Sequence, residues 1–205
     1  MGRLKEYTFQ GRNLVGDVFI ETGTYEGETT QAALDAGYPR IHTIEVCERL
    51  FQHSQKRFEN EPQVTVHHGS SPDVLPSVCD PSLKTTFWLD GHYQSGPRDE
   101  MDPTVGECPL LAELDVIVGV PWATKPVVII DDARIFTSGE GRDAWMRDVR
   151  LDPAQWPTLI DIMLRLGQDY LVVEHNDMLF CLPDAAKQGA SDGPELEEVA
   201  QVAVG

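Results

Sequence analysis

Residues 170–182 read Tyr-Leu-Val-Val-Glu-His-Asn-Asp-Met-Leu-Phe-Cys-Leu. Two apolar runs, Tyr170–Glu174 and Met178–Leu182, are separated only by His175–Asp177. A parallel crossover needs a dozen or more residues, so strands this close must pair antiparallel. The chain upstream has the opposite habit. Strand-like runs at Val18–Thr22, Arg40–Val46, Val64–His68, Thr85–Asp90 and Val127–Ile130 alternate with helical stretches at Glu28–Ala36, Cys47–Asn60, Val74–Val78 and Pro109–Val118, and a further helix follows at Thr158–Leu166. Such alternation builds βαβ units and a parallel sheet. The strands are nearly continuous apolar runs, as expected of strands covered on both faces. The predicted fold is α/β, with a seven-stranded, mainly parallel sheet closed by an antiparallel last strand.

The chain has 205 residues, 41% of them hydrophobic and 24% charged. That size suits one domain with a real core. The domain is expected over 1–183, followed by an acidic tail over 184–205, disordered or at most a marginal helix. No internal repeats occur. Two irregular stretches interrupt the alternation: Tyr93–Glu107, a candidate lid, and Thr137–Gln155, which carries Trp145. The net charge of −18 and pI of about 4.5 argue against nucleic acid and anionic membranes as partners. The longest apolar runs, such as Pro126–Ile130, fall far short of the ~20 residues that span a bilayer. Met1–Gln10 is polar and has no signal-peptide core. Cys47, Cys79, Cys108 and Cys181 are widely spaced without a CxxC pair, and read as reduced thiols of a cytoplasmic protein.

Chemistry concentrates at the predicted strand ends, where open α/β sheets bind their ligands. Glu21-Thr-Gly-Thr-Tyr-Glu-Gly27 follows the first strand and opens the first helix. Its glycines would let backbone approach a ligand, with Thr29 in the helical turn that follows. Glu45 ends the second strand about 20 residues on, where a carboxylate suits the two hydroxyls of a ribose or caps the helix from Cys47. Ser70 and Ser71 end the third strand and could meet an adenine edge or cap the short helix after them. Asp90-Gly-His-Tyr93 ends the fourth strand and Asp131-Asp132 the fifth. Three clustered carboxylates repel one another unless protons or a cation compensate, and Mg²⁺ takes oxygen ligands of this kind. Asp131 or Asp132 could instead cap a helix or pair with Arg134. His92 is a candidate general base, whereas His67-His68 reads as structural. Trp88, Tyr93, Trp122, Trp145 and Trp156 could line an acceptor pocket or belong to the core.

These motifs resemble class I S-adenosylmethionine-dependent methyltransferases, whose seventh strand is inserted antiparallel beside the fifth in a Rossmann-like three-layer domain. Glu21 to Gly27 is similar to the E-T-G-x-x-x-G motif of the metal-dependent macrolide-sugar O-methyltransferases. Leu89-Asp-Gly-His-Tyr93 is similar to their L-D-G-D-x-Y, and Ile129-Ile-Asp-Asp132 to their I-I-D-D-Y. The chain departs from them at His92, at Gln94 and at Ala133. The resemblance implies methyl transfer to a small-molecule hydroxyl, of a sugar or another polyhydroxylated metabolite. It implies S-adenosylmethionine held by Glu21, Thr22, Gly23, Thr24, Tyr25, Gly27, Thr29, Glu45, Ser70, Ser71 and Asp90. It implies Mg²⁺ at Asp90, Asp131 and Asp132, with Asp90 or His92 as catalytic base and a homodimer open as the assembly. The alternatives are a nicotinamide-dependent oxidoreductase, which shares the early glycine turn and acidic residue, and a non-catalytic binding module of the same fold.

Overall fold

The structure is a computed structural model that describes residues 14–93, 106–137, 142–143, 146–147 and 151–184. The expected tail, Trp145 and most of the Tyr93–Glu107 stretch lie outside the described residues. Seven strands form one sheet: β1 (Val18–Thr22), β2 (Ile41–Glu45), β3 (Val64–His68), β4 (Thr85–Leu89), β5 (Val127–Ile130), β6 (Tyr170–His175) and β7 (Met178–Pro183). Their order is β3-β2-β1-β4-β5-β7-β6. The first five run parallel, and β7 pairs antiparallel with both β5 and β6. Asn176 and Asp177 join β6 to β7 with φ of 51° and 65°, as a two-residue type I′ hairpin requires.

The helices are α1 (Glu28–Ala36), α2 (Glu48–Arg57), α3 (Ser71–Val78), α4 (Leu110–Gly119), α5 (Ala133–Thr137) and α6 (Leu159–Leu166). Local chemistry sets their ends. Gly37 stops α1 in the left-handed region, its N–H turned back to the carbonyls of Ala33 and Leu34. A reciprocal pair between Thr158 and Asp161 starts α6. Helix α3 starts at Ser71, earlier than its apolar residues suggested, because Pro72 suits a first helical turn.

β1 and β4 are buried along their whole length, so both faces need cover. On one face Ile20, Ile44, Phe87, Leu89 and Ile130 pack with Leu75 of α3, Leu114 and Ile117 of α4, and Ile162 and Leu166 of α6. On the other, Phe19, Ile41, Trp88, Ile129 and Phe180 pack with Ala33 of α1 and Tyr38. Trp88 and Trp156 both lie in these cores. All four cysteines are free thiols. Among the described residues no helix is long and apolar enough to cross a membrane.

His42 on β2 and His67 on β3 form a pair, with Nδ1 of His42 3.0 Å from Nε2 of His67. One imidazole donates and the other accepts, so the pair holds only while one ring is neutral. Burial, the neighbouring His67 and Arg40 together push the pKa of His42 down to about 4, from an ordinary 6.5. His68 instead faces out, stacked on Phe51 with its Nε2 3.1 Å from the carbonyl of Val46.

A depressed histidine pKa has a fixed sign. Below about pH 6.5 the unfolded chain takes up a proton that the folded chain refuses, so folding stability falls until about pH 4. His42→Gln removes this loss. Urea midpoints should show the variant gaining on the wild type as pH is lowered from 7 to 5. A difference independent of pH would show that the pair plays no such part. Only the difference is diagnostic, because a buried glutamate described below titrates in the same window with the opposite sign.

Candidate functional site

β1 is the point where strand order reverses, since the chain runs outward through β2 and β3 and returns to β4 on the other side. The turns after β1 and β4 therefore diverge from a shared crevice, the usual ligand site of such a sheet. They touch at one point. Gly23 has φ +79°, and a Cβ added to it would lie 2.3 Å from the carbonyl oxygen of Asp90. At Gly27, also at φ +79°, a Cβ would lie 2.7 Å from the ring of Phe58. The sequence suggested that these glycines make room for a ligand. In the structure the space beside each is filled by the chain itself, by the β4 turn at Gly23 and by the residue after α2 at Gly27.

Glu21 is 1% exposed and lies beneath this turn. Hydroxyls of Thr30 and Thr43 donate to its Oε2, and Thr29 is a further hydroxyl partner. Burial outweighs these bonds and pushes its pKa up to about 7. Thr24 completes the group, its hydroxyl 2.5 Å from that of Thr43. Thr22 is fully buried at the end of β1, and its hydroxyl has no partner. Tyr25 follows with φ 48° and an exposed side chain.

Glu45 joins two elements. Its Oε2 accepts from the Tyr25 N–H and its Oε1 from the Cys47 N–H at the start of α2, both at 2.9 Å. Glu45 thus ties the β1 turn to the residue before α2, and a carboxylate can accept more than these two bonds. Ser70 stands buried at the N-cap position of α3 without a side-chain capping bond, and Ser71 donates to Oε1 of Glu113 at 2.5 Å. Glu113, buried in the first turn of α4, also crowds Gly91.

At the ends of β4 and β5, ligand atoms of Asp90, His92 and Asp132 all lie within 4.8 Å of one another. His92 stands between the two carboxylates. Its Nδ1 is 3.5 Å from Oδ1 of Asp90, and its Nε2 is 3.2 Å from Oδ2 of Asp132. The ring is 3% exposed and meets Phe136 and Trp156 edge-on. Burial opposes charging of the ring, but the hydrogen bond with Asp132 and the nearby carboxylates outweigh it and raise its pKa. Asp90 is held well above the usual carboxylate range, first by burial and then by Asp131 and Asp132, although His92 pulls the other way. Burial would raise Asp132 too, but His92 and Arg134 hold it below that range. Asp131 accepts the N–H of Asp132 at 2.8 Å and is raised, chiefly by burial.

The pairing of Asp132 with Arg134 that the sequence offered is present, and Asp177, Glu107 and Glu113 support the site without a motif to reveal them. Asp132 sits at φ 56°, and Arg134 Nη1 reaches its Oδ1 at 2.5 Å. Asp177 of the closing hairpin pairs with the same guanidinium, accepts the Arg134 N–H at 3.0 Å, and offers its carbonyl to the Ala133 N–H. Glu107 fixes the other wall, accepting from Trp156 Nε1 at 3.0 Å and the Asp152 N–H at 2.7 Å. For Glu113, Ser71 at the start of α3 was the nearest visible hint.

This arrangement does not fit Mg²⁺. The convergent donors are two carboxylates and an imidazole rather than three carboxylates, and both oxygens of Asp132 are already engaged. The β1 and β2 turns do fit an adenosyl cofactor. They hold an anchored carboxylate at Glu45 and a buried, unpartnered hydroxyl at Thr22.

No protein-family profile matches the chain, and no curated protein matches it in sequence. Solved structures do match. An O-methyltransferase from Bacillus cereus in complex with S-adenosylhomocysteine (SAH) is 13% identical with a TM-score of 0.56, over 82% of this chain and 74% of that one. TomG from Streptomyces achromogenes, an O-methyltransferase in complex with S-adenosylmethionine (SAM), is 16% identical with a TM-score of 0.51, over 85% and 76%. The SAH-bound methyltransferase PaMTH1 of Podospora anserina is 12% identical with a TM-score of 0.54, over 81% and 70%. The chain shares the fold of these methyltransferases.

The contact between the two turns gives a direct test. Gly23→Ala puts a side chain into a left-handed backbone and against the Asp90 carbonyl. Strain and overpacking together should cost roughly 2–4 kcal/mol of unfolding free energy. Gly37→Ala is the control, since nothing lies within 4 Å of its Cβ position and only the backbone strain at φ +90° applies. Equal losses in the two variants, measured by urea unfolding, would count against the contact.

Proposed function

We propose that the chain transfers a methyl group from S-adenosylmethionine to a hydroxyl of a small molecule. The observation that carries this reading is a half-buried cluster, Asp90–His92–Asp132, beside the crevice formed by the β1 and β4 turns. The fold shared with SAM- and SAH-bound methyltransferases supports it. Glu45 would hold the ribose hydroxyls, and the backbone from Gly23 to Tyr25 the methionine part. Ser70 and Ser71 would flank the adenine, with Glu113 orienting Ser71. Glu21 and Thr29 would act from beneath, by keeping the turn in shape.

The bound cofactor supplies an activated methyl on a sulfonium, so the chain's task is alignment and removal of one proton. As the acceptor oxygen forms its bond to the methyl carbon, the sulfur–carbon bond breaks and the hydroxyl proton must leave. Exposure decides which group takes it. The Asp90 side chain is 30% exposed, against 3% for His92 and 11% for Asp132. Asp90 is therefore the group an acceptor can reach, and its raised pKa makes it a stronger base than an ordinary aspartate. His92 positions Asp90 and is itself positioned by Asp132. The acidic surface favours a neutral or cationic acceptor.

Calorimetry with SAH on the full chain should show one site, and Glu45→Ala should weaken it by about tenfold or more, as loss of a charge-assisted bond pair does. Asp90→Asn should leave the fold intact and lower methyl transfer from labelled cofactor to a panel of hydroxylated acceptors by roughly 10²–10⁴-fold. No binding of SAH at millimolar ligand by folded protein would sink the reading. Binding of reduced nicotinamide cofactor instead would favour an oxidoreductase.

A further inference from the structure

The motif resemblance implies a divalent ion among Asp90, Asp131 and Asp132, and the geometry disagrees with it. We infer that this cluster is closed by the chain's own His92 and Arg134, which take up the oxygens a divalent ion would need, and that no such ion binds there. Each oxygen of Asp132 already has a partner, Oδ1 in Arg134 at 2.5 Å and Oδ2 in His92 at 3.2 Å. The second ring nitrogen of His92 faces Asp90 at 3.5 Å. Both ring nitrogens are thus turned to carboxylate oxygens, and a metal ligand must turn one of them to the ion.

The imidazole cannot step aside easily. The imidazole is enclosed by Phe136 and Trp156, and Trp156 is itself fixed by Glu107. Arg134 is held at a second point by Asp177 of the closing hairpin. The inference concerns what fills the cluster and stands apart from the methyl-transfer reading. Applied to that reading, it means the acceptor need not offer two adjacent oxygens to a metal. One hydroxyl presented to Asp90 suffices.

The test uses Mn²⁺, a paramagnetic stand-in for Mg²⁺, titrated into the full chain at neutral pH and followed by its free-ion spin resonance signal. The wild type should bind no ion at this cluster up to concentrations on the order of 1 mM. His92→Gln and Arg134→Gln, each checked for folding by circular dichroism, should bind about tenfold more tightly or better, because either change uncovers carboxylates. Weak binding that Asp132→Asn leaves unchanged belongs to the acidic surface and supports the inference. Stoichiometric binding by the wild type that Asp132→Asn abolishes would overturn it. So would the failure of both variants, when folded, to gain affinity. If neither variant folds, the wild type and Asp132→Asn decide alone.

Discussion

Five carboxylates stand along the carboxyl edge of one sheet, and like charges there would drive the strand ends apart unless each had a partner of its own. Glu21 is surrounded by threonine hydroxyls, and Glu45 takes two backbone N–H groups. Asp131 takes the N–H of its own neighbour, while Asp90 and Asp132 share the imidazole of His92. Several donors come from another element than the carboxylate they serve, so compensating the charge also ties the edge together. The β1 turn is joined to β2 and α2 through Glu45, and β4 to β5 through His92. The crevice walls are thus joined by hydrogen bonds to carboxylates and not merely by packed side chains.

The strands were legible because the sheet is buried on both faces, and a strand in that position must be apolar throughout. The antiparallel finish was legible because two residues cannot make a crossover. The strand ends could be placed to within a residue or two, which was enough to bring Glu45, Asp90, Asp131 and Asp132 to one edge. Their roles were harder to read. A glycine at positive φ looks the same whether it faces a ligand or a neighbouring backbone, and only the fold reveals the Asp90 carbonyl beside Gly23. Glu21 matched a binding motif yet lies beneath the turn that the motif describes. The Asp132–Arg134 pair is two residues apart and was legible, but Glu107, Glu113 and Asp177 act across 40 or more residues of sequence, through contacts without periodicity.

His92 decides the meaning of its neighbours. With an oxygen ligand at this position, the two strand ends would offer a hard cation a set of carboxylates. With an imidazole they form an internally bonded triad. The left-handed backbone of Asp132 belongs to the same arrangement. At φ 56° this residue is strained, and it is held there by contacts to His92, Arg134 and the N–H bond to Asp131. A strained residue held by so many partners is costly to move, and that stiffness is useful in a group that must keep a base in place.

The hairpin that pairs with Arg134 lies 43 residues further along the chain. On the ribosome, β1 to β5 emerge first, and β5 stays an unprotected edge until β7 is available to pair with it. At about 5–20 residues per second, that wait lasts roughly 2–9 s. During it Asp177 is missing, so Arg134 and the start of α5 lack their anchor. The crevice can therefore take its final form only after residue 177 has been made, and a nascent chain stalled before it would carry the five parallel strands with an unfinished site.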